Sequence, residues 1–194
     1  MNKSVRLIAV LAAFVAGAAA LVAVALVALP RDTVKPSSVG GPFRLTDQNG
    51  RAVTEADFRG KTLLVFFGFT HCPDICPTTL FEISETLRRL GPDADKAAAL
   101  FVTVDPERDT PAKLKDYVSS FHPRIFGLTG TRAEIDAVLK EYRVYAKKVP
   151  LEGGDYTMDH SAVVYLMDKR GRFVAPFNLK RGAEQAAADL KQYL

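Results

Sequence analysis

The stretch Leu63-Leu64-Val65-Phe66-Phe67-Gly68-Phe69-Thr70-His71-Cys72-Pro73-Asp74-Ile75-Cys76-Pro77 decides the fold. Its first seven residues are uniformly apolar, the pattern of a strand covered on both faces. The polar, cysteine-bearing segment that follows interrupts the strand. From Pro77 onward, Leu80, Ile83, Leu87 and Leu90 recur at helical spacing, and Gly91-Pro92 ends the run. A buried strand passes through a short loop into an amphipathic helix, with both cysteines of the chain at the junction.

Working outward, the same alternation continues. Before the buried strand, Phe43-Arg44-Leu45-Thr46 alternates like a strand, Asn49-Gly50 signals a tight turn, and Val53 begins the return. After it, Ala98 to Val104 reads as a second buried strand. Thr110-Pro111 starts a helix carrying Leu114, Tyr117 and Val118 on one face. Ile125 to Leu128 is a short strand, and Thr131 with Glu134 forms a capping box for a third helix. Tyr142 to Val149 is read as a strand and Gly153-Gly154 as a loop. Ser161–Met167 and Arg172–Phe177 read as a hairpin, and Ala183–Leu194 as a closing helix. Strand–helix alternation implies an α/β sheet covered by helices. A hairpin and final helix after a βαβ unit predict a thioredoxin-like fold for a domain spanning 43–194.

The N-terminal part differs in kind. Leu7 to Leu29 contains no charged residue, and its 23 residues exceed the about 20 needed to cross a bilayer. It is too long for a typical signal-peptide core, although Ala23 and Ala25 offer small residues for cleavage. The reading is an uncleaved transmembrane anchor over 1–29 and a Pro/Ser/Gly linker over 30–42. Lys3 and Arg6 precede the anchor and favour a cytoplasmic N-terminus. The expected location is therefore the bacterial inner membrane, single-pass, with the domain in the periplasm. That oxidising compartment permits a disulfide. Beyond Lys3 and Arg6, 24 basic residues face 22 acidic ones, a balance that argues against a nucleic-acid partner.

The chemistry gathers at Cys72 and Cys76. In open α/β sheets, ligands collect beyond the carboxyl ends of the strands. A helix N-terminus there is expected to favour the thiolate of a cysteine. Three residues separate the two cysteines, one more than in a thioredoxin-type redox pair. Across a helical turn both sulfurs can share a face, and so either chelate one ion or close a disulfide. Two thiolates suit Cu(I) or Zn(II), and an imidazole makes the set acceptable to Cu(II). Of three histidines, His71 points elsewhere as an immediate neighbour, and His122 precedes Pro123 in a surface loop. His160 sits at the entrance to the Ser161–Met167 strand, which in a thioredoxin-like fold faces the cysteine pair. A structural zinc site requires four protein ligands, one more than these residues supply. The bland alternative is a passive disulfide and a surface histidine.

Three segments together resemble the Sco/SenC family of copper proteins. They are Phe69-Thr70-His71-Cys72-Pro73-Asp74-Ile75-Cys76-Pro77, Val104-Asp105-Pro106-Glu107-Arg108-Asp109-Thr110-Pro111, and Asp159-His160-Ser161 leading into Ala162-Val163-Val164-Tyr165-Leu166. The resemblance implies Cys72, Cys76 and His160 as ligands of copper, Cu(I) or Cu(II). It further implies delivery to the binuclear copper centre of cytochrome c oxidase subunit II, with a periplasmic copper donor upstream. Some members of that family are proposed instead to be thiol reductases for that centre, or redox signal transducers. Asp105, ending a buried strand near the cysteine strand, is either an outer partner of the site or weak fourth ligand, or a cap for the turn into Pro106. Met158 and Asp159 are read as packing and loop residues. A peroxidase reading fails because Thr70 lies two, not three, positions before Cys72 and the associated proline is missing.

Overall fold

The computed structural model describes residues 11–21 and 39–194. Residues 11–21 are helical and belong to a first compact unit, separate from the unit that begins at Pro36. Most of the expected anchor and linker, residues 1–10 and 22–38, lies outside the described residues. Among the described residues no helix is long and apolar enough to cross a membrane.

The second unit is built on a seven-stranded sheet. Its strands are β1 (Arg44–Asp47), β2 (Ala52–Thr54), β3 (Thr62–Gly68), β4 (Ala97–Thr103), β5 (Ile125–Thr129), β8 (Val164–Met167) and β9 (Phe173–Pro176), in the order β2-β1-β5-β4-β3-β8-β9. The centre, β5-β4-β3, is parallel, and β8 runs antiparallel to β3 with Leu64 opposite Leu166. Helices α1 (Ile75–Leu90), α2 (Pro111–Ser119), α3 (Arg132–Tyr142) and α4 (Ala183–Lys191) complete the α/β, thioredoxin-like arrangement.

All seven residues of β3 and all seven of β4 are buried, which explains sequences that are apolar but for the terminal Thr62 and Thr103. Each fully buried Leu or Phe there contributes about 1.5–3 kcal/mol through its transfer from water. The turn after β1 forms as its Asn-Gly pair requires. Gly50 has φ +79°, and Asp47 Oδ1 accepts from the backbone of Asn49 and Arg51. Thr131 caps α3 with Glu134 in the reciprocal box, and Pro111 stands in the first turn of α2 after the Thr110 cap.

The region 142–160 departs from the sequence reading. Tyr142 ends α3, and only Ala146–Pro150 is strand (β6). It pairs with a strand missed in the sequence, β7 (Tyr156–His160), as a separate two-stranded ribbon with Ala146 opposite His160. His160 therefore closes a ribbon strand, and β8 begins only at Val164. The cause is polarity. Lys147 and Lys148 are exposed, and a ribbon outside the main sheet needs no apolar face of its own.

Candidate metal centre

Cys72 lies in the loop after β3 and is half-buried; Cys76 sits in the first turn of α1 and is fully buried. The two cysteines are thus not on one helical face. The helix starts at Ile75, so only the second belongs to it. Their link is a hydrogen bond in which the Cys76 backbone N–H donates to Cys72 Sγ at 3.4 Å. The sulfur thereby accepts one of the helix donors that would otherwise lack a partner. The Asp74 N-cap side chain receives no capping bond from the helix backbone.

His160 reaches the pair from the ribbon, its Nε2 3.7 Å from Cys76 Sγ. Nδ1 lies 3.1 Å from the Ser161 carbonyl. With the proton on Nδ1, donated to that carbonyl, the ring presents the Nε2 lone pair to the sulfur. Edge contacts with Phe69 and Phe66, at 5.8 and 6.4 Å between ring centres, fix the ring plane. Burial lowers the His160 pKa, the Ser161 hydrogen bond working against the shift, and this favours the neutral, ligating form.

At Cys76, burial outweighs the helix terminus. Desolvation pushes the thiol pKa up, a hydrogen bond with the Phe69 backbone opposes it, and the Cys72 and Asp109 side chains add to the rise. The expected thiolate-favouring effect of the helix end does not prevail at this residue. A fully buried sulfur loses more from leaving water than one helix terminus returns. An ion bound there has to displace the proton.

Gly68 makes room for this sulfur. A Cβ at that position would lie 2.8 Å from Cys76 Sγ and 2.7 Å from the Phe101 ring. Gly68→Ala is expected to destabilise the metal-free protein by about 1–3 kcal/mol through overpacking. Thermal unfolding measures it, and an unchanged midpoint would show that the sulfur and ring yield freely.

The second motif supplies residues whose role was not legible in the sequence. Asp109, fully buried, accepts from the Thr70 backbone N–H (3.0 Å), the Thr70 hydroxyl (2.6 Å) and the Thr103 hydroxyl (2.6 Å). It pins the loop that carries Cys72. Asp105, also buried, accepts from Arg108 Nε (2.5 Å) and the Tyr156 hydroxyl (2.9 Å). Both of its oxygens are thus engaged with residues that hold the ribbon. The one available signal was chemical: two carboxylates four apart beside an apolar strand need partners if buried.

The remaining candidates fall as follows. Met158 is buried and Asp159 exposed; both line a cleft of ≈ 360 Å³ with Cys72, His160, Phe69 and Ile75. His71 is exposed and contacts Thr70. His122 is half-buried, its Nδ1 accepting from the Arg124 backbone.

Among the described residues no three His, Cys, Asp or Glu side chains form a closed ligand cluster. Two donors are nevertheless at ligand spacing. With metal–sulfur and metal–nitrogen bonds of about 2.3 and 2.0–2.1 Å, two ligands of one ion lie about 3.6–3.8 Å apart. The 3.7 Å between Cys76 and His160 meets this. The Cys72 sulfur, held by the helix N–H, is the candidate third donor. Two soft sulfurs and one imidazole fit a copper ion in an open, low-coordinate site.

A thioredoxin-like domain with two cysteines at the start of a helix and an imidazole against the inner one belongs among thiol-based metal and redox proteins. The comparisons with known proteins narrow the class. Residues 31–194 match the SCO1/SenC family model. The chain is 42% identical over 167 residues to the Bos taurus protein SCO2 homolog, mitochondrial, covering 84% of this chain and 63% of that protein. It thus spans less than two thirds of that relative's length. The structure of Bradyrhizobium japonicum ScoI with copper bound is 67% identical, with a TM-score of 0.78, over 80% of this chain and 99% of that one. BsSco, described with a disulfide switch and as a member of the Sco family of cytochrome c oxidase assembly proteins, is 26% identical. Its TM-score is 0.65, over 82% of this chain and 96% of that one. The chain belongs to the SCO1/SenC family.

Proposed function

We propose that this protein carries one copper ion on Cys72, Cys76 and His160 and delivers it to the binuclear copper centre of cytochrome c oxidase subunit II during oxidase assembly. The observation that carries the reading is the 3.7 Å approach of His160 Nε2 to Cys76 Sγ across 84 residues of sequence. The copper-bound relative and the oxidase-assembly relative support the ion and the pathway. The proposal includes the setting: anchored by the N-terminal helix in a bacterial inner membrane, domain in the periplasm, loaded by a periplasmic copper donor. Half-burial of Cys72 beside an open cleft suits an ion that must leave again. The test is metal analysis of the reduced full chain, then transfer to an apo subunit II fragment. One copper per chain and its appearance on the acceptor are expected; a chain that stays metal-free sinks the reading.

His160→Ala separates the ligands. Two thiolates still hold Cu(I), whereas Cu(II) needs the imidazole. Anaerobic titration should therefore find Cu(II) affinity reduced far more than Cu(I) affinity. Equal Cu(II) affinity in variant and wild type would remove His160 from the site.

One observation favours a second reading. Cys72 is accessible and Cys76 buried behind it, the asymmetry of an attacking and a resolving thiol. Two electrons and two protons would then pass from the pair to a partner disulfide, leaving Cys72 and Cys76 joined. Reduction of an oxidised subunit II fragment without copper transfer would favour this course.

A further inference from the structure

His160 rides on a ribbon that, among the described residues, pairs only with itself. A lone two-stranded ribbon is marginal in water, so its position depends on what docks it. Tyr156 opens β7 and His160 closes it, about 14 Å apart at strand rise. Tyr156 is held from several sides. Its hydroxyl donates to Asp105 at 2.9 Å, and its carbonyl accepts from Arg108 Nη1 at 3.0 Å. The Arg108 guanidinium carbon lies 3.7 Å from the ring centre, and Lys148 Nζ lies 4.0 Å from it. Lys148 in turn pairs with Glu107 at 2.7 Å, and Arg108 with Asp155 at 3.2 Å.

Every one of these anchors outside the ribbon comes from one segment, Asp105–Asp109. The far end of that segment, Asp109, grips Thr70 two residues before Cys72. One five-residue loop therefore holds the cysteine loop at one end and the histidine ribbon at the other.

We infer that Arg108 and Tyr156 are positioning residues for His160: by fixing the register of the ribbon against the Asp105–Asp109 loop, they set how well the site holds Cu(II) relative to Cu(I). The inference rests on the copper reading above. It follows because the imidazole matters to Cu(II) and much less to an ion that two thiolates satisfy. Tyr156→Phe keeps the ring and its cation contacts and removes the hydroxyl's bonds to Asp105 at 2.9 Å and to Glu107 at 3.5 Å. Arg108→Lys keeps the charge and removes the planar fork that reaches Asp105 and the Tyr156 carbonyl together.

In the full chain, each variant is expected to lose Cu(II) affinity by about 10–100-fold, the range for partners that orient a ligand. The Cu(II)–thiolate charge-transfer band shifts, Cu(I) affinity is unchanged, and the metal-free melting midpoint falls by only a few degrees, as buried Asp105 loses one partner. The His160 ring resonances of the metal-free variants move, while those of core methyl groups on β3 and β4 do not. Unchanged His160 resonances and an unchanged Cu(II) band in both variants would overturn the inference. So would a parallel fall in Cu(I) and Cu(II) affinity, which is the mark of general loosening. A wild-type chain that binds no copper at all would instead defeat the proposed function. The metal-free resonances would still decide whether the loop orients His160.

Discussion

Cys76→Ser leaves a folded protein that no longer retains stoichiometric copper. Of the chain's two cysteines, Cys76 is the one whose sulfur faces the imidazole. Serine fits the same space, and its hydroxyl is a hard donor that keeps its proton at neutral pH, so the soft pair required by Cu(I) is gone. The loss should exceed about 100-fold in Cu(I) affinity, the upper range for residues that only orient a ligand. The position is fully buried, so the hydroxyl needs a hydrogen-bond partner, and the Phe69 backbone contact of the thiol supplies one. The melting midpoint of the metal-free protein should therefore move little. Competition titration with a Cu(I) chelator reads the affinity and calorimetry reads the fold. Full copper retention in a folded variant would show that Cys72 and His160 suffice.

Asp109→Ala has its main effect on stability. The carboxylate is fully buried and accepts three hydrogen bonds, two from Thr70 and one from Thr103. Removing it strands three donors at about 1–3 kcal/mol each where water cannot enter. Thr70 is only half-buried, so water recovers part of that, and a net loss of about 3 kcal/mol is expected. In a chain of this size that lowers Tm by roughly 6–12 °C. Asp109→Asn keeps an acceptor oxygen and should lose less. The charge of Asp109 raises the Cys76 pKa, so its removal by itself favours the thiolate. Weaker copper binding in the alanine variant would accordingly come from the released Cys72 loop. A midpoint within a degree of wild type would mean that the loop is held by something else.

The parts of the molecule that obey a period were legible in the sequence. Leu63–Phe69 is apolar throughout, and Ala98–Val104 is apolar but for Thr103, because β3 and β4 are covered on both faces. Thr131 and Glu134 announce a helix start because the cap chemistry is local. The ribbon has no such signature. Tyr156-Thr157-Met158-Asp159-His160 buries only Met158 fully, and its docking rests on Asp105 and Arg108, distant in sequence. Cys72 and Cys76 stood out as the chain's two cysteines, and His160 was singled out among three histidines by its place before the Ser161–Met167 segment and by the family resemblance. The route by which His160 arrives, and the hold of Asp109 on Thr70, depend on contacts across 39 or more residues that no local spacing encodes.

The self-paired ribbon has a kinetic consequence. The sulfurs are set by the loop after β3 and the first turn of α1, elements tied into the sheet and core. The imidazole is set by a strand whose ladder is independent of that sheet. Peeling the ribbon away breaks its own docking contacts and leaves every rung between β3, β4 and β8 intact. Such sub-global openings cost less than unfolding the domain. The imidazole can therefore leave a bound Cu(II) ion without the domain unfolding, and on the proposed copper role a long-lived fold could release that ion quickly.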